Sequence, residues 1–372
     1  MSSKNFFFAG GGTGGHIYPS LAIAQKILAI EPEAGIRFFC SEREIDERIL
    51  AGSDYERFSV PAAGLTLKPA GFLRFFRSFL ISYFASKKIL RRFPESVVVG
   101  LGGYVAAPVC LAAYRLSLPV FLINTDLVPG RANRFVSRYA EAIFVQFDGS
   151  RDYLAKYKSK VRVTGCPLRG EFENPEPWKI KDALELAEGK KILLITGASS
   201  GSERINETVC LLLERLDEFA DDWQIVHLTG HRSFEVVQKR YTKAKISHQV
   251  LAYYDDMANL LGAADLVVGR AGAVSVAEYA TAGAPSICIP YPHHKDMHQY
   301  QNAGRLVEAG AGVVVDDLTD SKERAGWLWD QLRRLMTDDA ERRRMEENCR
   351  LVGRNDAAGV IAQELLTRIS NT

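Results

Sequence analysis

Gly10-Gly11-Gly12-Thr13-Gly14-Gly15-His16 lies between the short apolar run Phe6-Phe7-Phe8-Ala9 and a segment, Ile17 to Ile30, whose apolar residues (Leu21, Ile23, Ala24, Ile27, Leu28) fall at helical spacing. The run suits a buried parallel strand, and Pro19 is tolerated in a first helical turn. Strand, glycine turn and helix together aim backbone N–H groups and the positive end of a helix at an anion. Glycine serves there because a Cβ blocks close approach of backbone to ligand and penalises positive φ. Five glycines in six positions exceed what a turn needs for packing alone. The spacing fits a loose GxGxxG pattern and lacks the Lys-Ser/Thr ending of a nucleoside-triphosphate loop.

Working outward, short β-like runs alternate with helical patterns along all 372 residues, predicting an α/β protein with mainly parallel sheets. One strand series comprises Phe6–Ala9, Ile36–Cys40, Phe58–Val60, Val97–Val99, Val120–Ile123, Ala142–Val145 and Val161–Thr164. A second begins at Lys191–Thr196 and continues through Gln224–Leu228, Gln249–Ala252, Leu266–Val268, Ser286–Ile289 and Gly312–Val315. The polar, proline-bearing stretch Glu171–Pro177 separates them, so the reading is a domain over 1–165, another over 166–340, and a charged helical tail over 341–372 that caps one or the other. Gly100-Leu101-Gly102-Gly103-Tyr104 and Gly197-Ala198-Ser199-Ser200-Gly201 are further glycine turns at strand ends, where doubly wound sheets bind ligands.

The net charge of +2 gives no signal for nucleic acid. Six scattered cysteines show no metal spacing and read as reduced small hydrophobes. No apolar run approaches the roughly 20 residues of a membrane helix, and the N-terminus has no signal-peptide layout, so the expectation is a cytoplasmic protein. Residues 72–93 are dense in aromatic and aliphatic side chains and carry Arg74, Arg77, Lys87, Lys88, Arg91 and Arg92 without one acid. That composition suits a helix lying on anionic lipid headgroups and equally a core helix with a solvated basic face.

Taken together these motifs resemble the MurG family, the lipid-linked N-acetylglucosaminyltransferases of peptidoglycan synthesis. Gly10–His16 with Ile17-Tyr18-Pro19-Ser20 resembles the family's first glycine loop, Gly100–Pro108 its second, and Gly197–Gly201 its third. Pro129–Arg134 and Gly165–Arg169 match further segments. Arg270-Ala-Gly-Ala-Val-Ser-Val-Ala-Glu278, followed by Asp296-Met-His-Gln-Tyr-Gln-Asn-Ala303, is similar to its donor-nucleotide signature. The resemblance implies two Rossmann-like doubly wound parallel-sheet domains facing across a cleft, the architecture called GT-B. It also implies a peripheral enzyme at the inner face of the cell membrane, with a UDP-N-acetylglucosamine donor, a lipid-pyrophosphate-linked muramyl-pentapeptide acceptor and possible cell-wall synthesis partners.

By that resemblance the donor-binding residues are Thr13, Gly14, Arg169, Ser199, Tyr254, Ala273, Val274, Ser275, Glu278, His298 and Gln299. Glu278 would take the ribose hydroxyls, the backbone at Tyr254 the uracil, and Arg169 and Ser199 the diphosphate. The acceptor side would be Gly14, Gly15, His16, Gly102, Gly103, Tyr104 and Asp126. His16, the only histidine of the N-terminal half, is the expected catalytic residue, either as a general base near pH 7 or as a hydrogen-bond donor to acceptor phosphate. No Asp-x-Asp motif follows a strand in a donor context, so no metal is expected. Where the family carries His-Glu-Gln-Asn, this chain has Ile123-Asn124-Thr125-Asp126, and its third loop carries Ala198 and Ser200 in place of glycine and glutamine. These departures keep open a related glycosyltransferase acting on another lipid acceptor such as diacylglycerol. Two further readings are a dinucleotide-binding protein and a UDP-binding scaffold without activity.

Overall fold

The computed structural model describes residues 4–11, 14–65, 68–198, 201–293 and 297–370. The chain divides into two compact units, Met1–Gly170 with Asn355–Thr372, and Glu171–Arg354. The first holds strands β1 (Asn5–Ala9), β2 (Gly35–Cys40), β3 (Glu56–Ser59), β4 (Ser96–Gly100), β5 (Val120–Asn124), β6 (Ala142–Val145) and β7 (Val161–Val163). The second holds β8 (Lys191–Thr196), β9 (Trp223–Leu228), β10 (Ser247–Leu251), β11 (Leu266–Gly269), β12 (Ser286–Cys288) and β13 (Gly312–Val314). Every strand expected from the sequence is present, within about a residue or two at the ends.

Both sheets are wholly parallel. Their orders are β3-β2-β1-β4-β5-β6-β7 and β10-β9-β8-β11-β12-β13. A parallel sheet is covered on both faces, and this is why its strands read as unbroken apolar runs. Phe6 and Phe8 pack on one face and Phe7 on the other, all without exposure. In each unit the strand order reverses between two neighbours: β1 and β4 in the first, β8 and β11 in the second. Crevices for ligands open at such reversals, beyond the carboxyl ends of the strands.

The helix Pro69–Leu90 is built outside in. Ser78, Ser82, Ser86 and Leu90, spaced four apart, form its buried stripe. Phe72, Leu73, Phe76, Leu80, Ile81 and Phe84 face outward, Leu73 at 68 % and Phe84 at 63 % exposure. Small serines allow close approach to the helix Gly103–Tyr114, and Ser82 Oγ donates to the Pro61 carbonyl at 2.6 Å. Phe79, Tyr83 and Ile89 also pack, partly buried, against the core, so the helix has a packed inner side and an outer side that is apolar as well as basic.

The tail over 341–372 does not act as one piece. The helix Asp339–Val352 packs on the helix Ala273–Ala282 in the second unit. The helix Ala357–Ser370 returns to the first unit and lies on the helix Gly14–Ile30, burying Ile361, Ala362 and Leu365 completely. Arg162–Glu364 (2.8 Å) and Arg368–Glu141 (2.7 Å) pin its outer side. All six cysteines are free, five of them buried.

Candidate functional site

In the first unit Ala9 of β1 pairs with Gly100 of β4, so the first and second glycine turns leave the sheet side by side. They are packed hard together. A Cβ on Gly10 would lie 3.2 Å from the Leu101 Cβ, and one on Gly103 (φ +70°) would lie 3.1 Å from the Gly11 carbonyl oxygen. His16 sits in the first turn of the helix Gly14–Ile30, after Gly14 and Gly15. Its Nδ1 is 3.1 Å from the Gly11 carbonyl oxygen. A carbonyl only accepts, so Nδ1 carries the hydrogen and Nε2 is the basic nitrogen of the neutral ring. Nε2 turns toward the second loop, 3.2 Å from where a Cβ on Gly102 (φ +111°) would stand. His16, Gly102 and Gly103, from separate stretches of sequence, are thus brought together.

Other predicted residues of this unit have partners of their own. Tyr104 is exposed and meets the Phe75 ring of the outside-in helix edge-on at 6.3 Å. Asp126 follows β5, its carbonyl accepting from Asn124 Nδ2 at 2.6 Å. Arg169 lies over the Tyr18 ring, 5.2 Å from its centre. Thr13 lies outside the described residues, as does Ser199 of the second unit. Asp46 was not foreseen. It is fully buried against Gly11 and accepts from the Ser41 amide at 3.0 Å. Its carboxylate follows β2, where a dinucleotide site presents an acid to ribose; here it braces the loop from behind.

In the second unit Thr196 of β8 pairs with Gly269 of β11, again setting two turns side by side. The turn after β8 is wound so tightly that a Cβ on Gly201 (φ +71°) would lie 2.4 Å from the Thr229 carbonyl oxygen. Ala198 sits in the left-handed region, φ +59°, where glycine is favoured. Ser202 caps the helix Glu203–Leu216, accepting from the Ile205 amide. After β11, Ala273, Val274 and Ser275 form the first turn of the helix Ala273–Ala282, whose positive end suits an anion. Glu278 is half-buried further along. Burial, then the Asp256 carboxylate, push the Tyr254 phenol above its ordinary pKa. Tyr254 follows β10, and His298 and Gln299 open the helix His298–Glu308. Gln299 Oε1 accepts from the Tyr291 amide at 2.9 Å, which turns its NH2 group outward from that bond as the donor end.

A buried ion-pair cluster joins these turns, and sequence reasoning assigned it no role. Arg270 Nη1 meets Asp317 Oδ2 at 2.8 Å, its Nη2 donates to Ser202 Oγ at 2.7 Å, and it also holds the Ile289 carbonyl. Arg204 and Arg324 approach the same carboxylate. Arg270 opens the donor-like signature, which was the available signal; Asp317 lies 47 residues away and carries none.

Residues 6–145 match the glycosyltransferase family 28 N-terminal domain, and residues 192–361 match the glycosyltransferase family 28 C-terminal domain. The chain belongs to glycosyltransferase family 28. Two Geobacter proteins are similar to this family 28 chain over nearly their whole length. The one from Geobacter sulfurreducens is 35 % identical, covering 96 % of this chain and 97 % of its own; that from Geobacter metallireducens is 34 % identical at the same coverage. Both are named UDP-N-acetylglucosamine–N-acetylmuramyl-(pentapeptide) pyrophosphoryl-undecaprenol N-acetylglucosamine transferase. The crystal structure of MurG from Acinetobacter baumannii agrees in fold, with a TM-score of 0.74 and 24 % identity over 99 % of this chain and 100 % of that one. The doubly wound, two-domain GT-B class expected from the sequence is therefore the class found. Among the described residues no helix is long and apolar enough to cross a membrane.

Proposed function

We propose that this family 28 glycosyltransferase transfers N-acetylglucosamine from UDP-N-acetylglucosamine to undecaprenyl-pyrophosphoryl-N-acetylmuramoyl-pentapeptide, with inversion, forming the β-1,4-linked disaccharide lipid. Donor and acceptor are taken from the names of its relatives. The observation that carries the chemistry is the hydrogen bond from His16 Nδ1 to the Gly11 carbonyl, which leaves the basic Nε2 beside the second glycine loop. In this reading the acceptor hydroxyl oxygen attacks the anomeric carbon and gives its proton to Nε2. The carbon–oxygen bond to the diphosphate breaks, and UDP departs with the electron pair through an oxocarbenium-like transition state.

The negative charge growing on UDP is met by the first turn of the helix Ala273–Ala282, with Arg169, Thr13 and Ser199 as further diphosphate contacts. Glu278 holds the ribose, the Tyr254 backbone the uracil, and His298 and the Gln299 amide the sugar hydroxyls. No resident metal is needed, and rates in excess chelator are expected to stay unchanged. The outward aromatics and the exposed Arg74, Arg77, Lys88, Arg91 and Arg92 of the outside-in helix region support peripheral binding to an anionic bilayer at the inner face of the cell membrane.

Labelled UDP-N-acetylglucosamine and a short-chain acceptor test the reaction. A β-1,4 product is expected; bound UDP without product, or product only with diacylglycerol, overturns the assignment. Sedimentation with anionic vesicles tests the surface, and loss of binding is expected in Phe76→Glu/Phe84→Glu.

A further inference from the structure

Asn133, on the short helix Arg131–Val136, is 7 % exposed and has one end of its carboxamide firmly held. Its Nδ2 donates to Asn124 Oδ1 at 2.9 Å and to the Ile123 carbonyl at 3.3 Å. Asn124, 1 % exposed, is oriented in turn by its own Nδ2 donating to the Asp126 carbonyl. Backbone carbonyls therefore fix which atom of each amide is nitrogen, and Oδ1 of Asn133 must point the other way. That oxygen is buried and has no hydrogen-bond partner. A buried acceptor left open is costly and calls for an explanation. Oδ1 lies 3.0 Å from where a Cβ on Gly102 would stand, and His16 Nε2 lies 3.2 Å from the same point. The missing side chain of Gly102 keeps the gap between the two acceptors open.

We propose that Asn133 is a positioning residue of the acceptor site: its carboxamide oxygen takes a hydrogen bond from a second donor group of the acceptor sugar, adjacent to the hydroxyl that gives its proton to His16. Two acceptors flanking one glycine match a substrate with two neighbouring donors, as the C4 hydroxyl of a muramyl sugar and the C6 hydroxyl beside it provide. The loop that carries Asn124 departs from the family's His-Glu-Gln-Asn run, so this chain sets the Asn133 amide with a neutral partner.

This inference rests on the reaction proposed above, and the test separates the two. Asn133→Ala is expected to lower kcat/KM for the acceptor by about tenfold, the effect of one ordinary hydrogen bond, with KM for UDP-N-acetylglucosamine changed by less than about twofold. A set of acceptor analogues, each lacking one hydroxyl or the N-acetyl N–H, then identifies the donor. For one analogue the wild-type rate falls by about tenfold while the variant shows no further fall. Equal falls in both proteins for every analogue overturn the inference alone. Absence of product from the wild type with intact acceptor overturns the reaction and the inference with it. Asn124→Ala removes one anchor and leaves Asn133 in place; it is expected to give the same pattern at smaller amplitude, and serves where Asn133→Ala does not fold.

Discussion

The two units share a strand order around their reversal points, yet they secure the loops there by opposite means. In the first, glycine packs on glycine, and an imidazole ring is tied to a backbone carbonyl. In the second, a guanidinium bound to a buried carboxylate ties one turn to the cap of the other. Topology decides where a loop leaves the sheet. The side chains behind it decide what that place presents to a ligand. Helix ends and cations suit an anion, and an imidazole with one nitrogen tied to a carbonyl presents the other in a fixed direction.

Cutting this contrast at its sharpest point gives the largest effect. His16→Ala is expected to slow transfer by about 10²- to 10⁴-fold, with the thermal shift on adding UDP unchanged. A parallel loss of UDP binding would break the contrast between the units. Next comes Arg270→Met, which takes from buried Asp317 its nearest cation and leaves it Arg204 and Arg324; breaking such a pair costs at most about 3–5 kcal/mol, read by urea denaturation.

A smaller effect follows from His227, which is fully buried between Tyr241 (2.9 Å) and Asn206 (3.0 Å). Burial lowers its pKa from 6.5 to about 3. The unfolded chain binds this proton below about pH 6.5 and the folded one does not, so stability present above that pH is lost as pH falls toward about 3. The slope is at most about 1.4 kcal/mol per pH unit. His227→Gln should flatten it in pH-dependent denaturation curves. Smallest is Ala198→Gly: relief of the left-handed strain, about 1 kcal/mol, should raise the melting temperature of the second unit by about 2–4 °C.

Much of this was legible in the sequence, for physical reasons. Strands buried on both faces are written as apolar runs, so β1 to β13 could be placed, and glycine turns at their ends marked the site. His16 was legible because it ends such a turn. Asp46 was not, since one buried acid near the exposed Glu42, Arg43 and Glu47 looks like them in sequence. Arg270 and Asp317 meet only through tertiary folding, and no local spacing announces them. The outward face of the helix Pro69–Leu90 was half legible. Its serines four residues apart name the inner stripe, but an aromatic-rich composition draws the eye to the wrong face.

The return of the helix Ala357–Ser370 to the first unit also bears on how the protein is made. The second unit is one continuous stretch and can complete its sheet once Arg354 has left the ribosome. The first, though begun earlier, keeps the flank of the helix carrying His16 uncovered until Ile361, Ala362 and Leu365 have been synthesised. The earlier-born half is therefore the later to mature, and a nascent chain stalled short of that helix would carry a finished second unit joined to a sticky, unsealed first one.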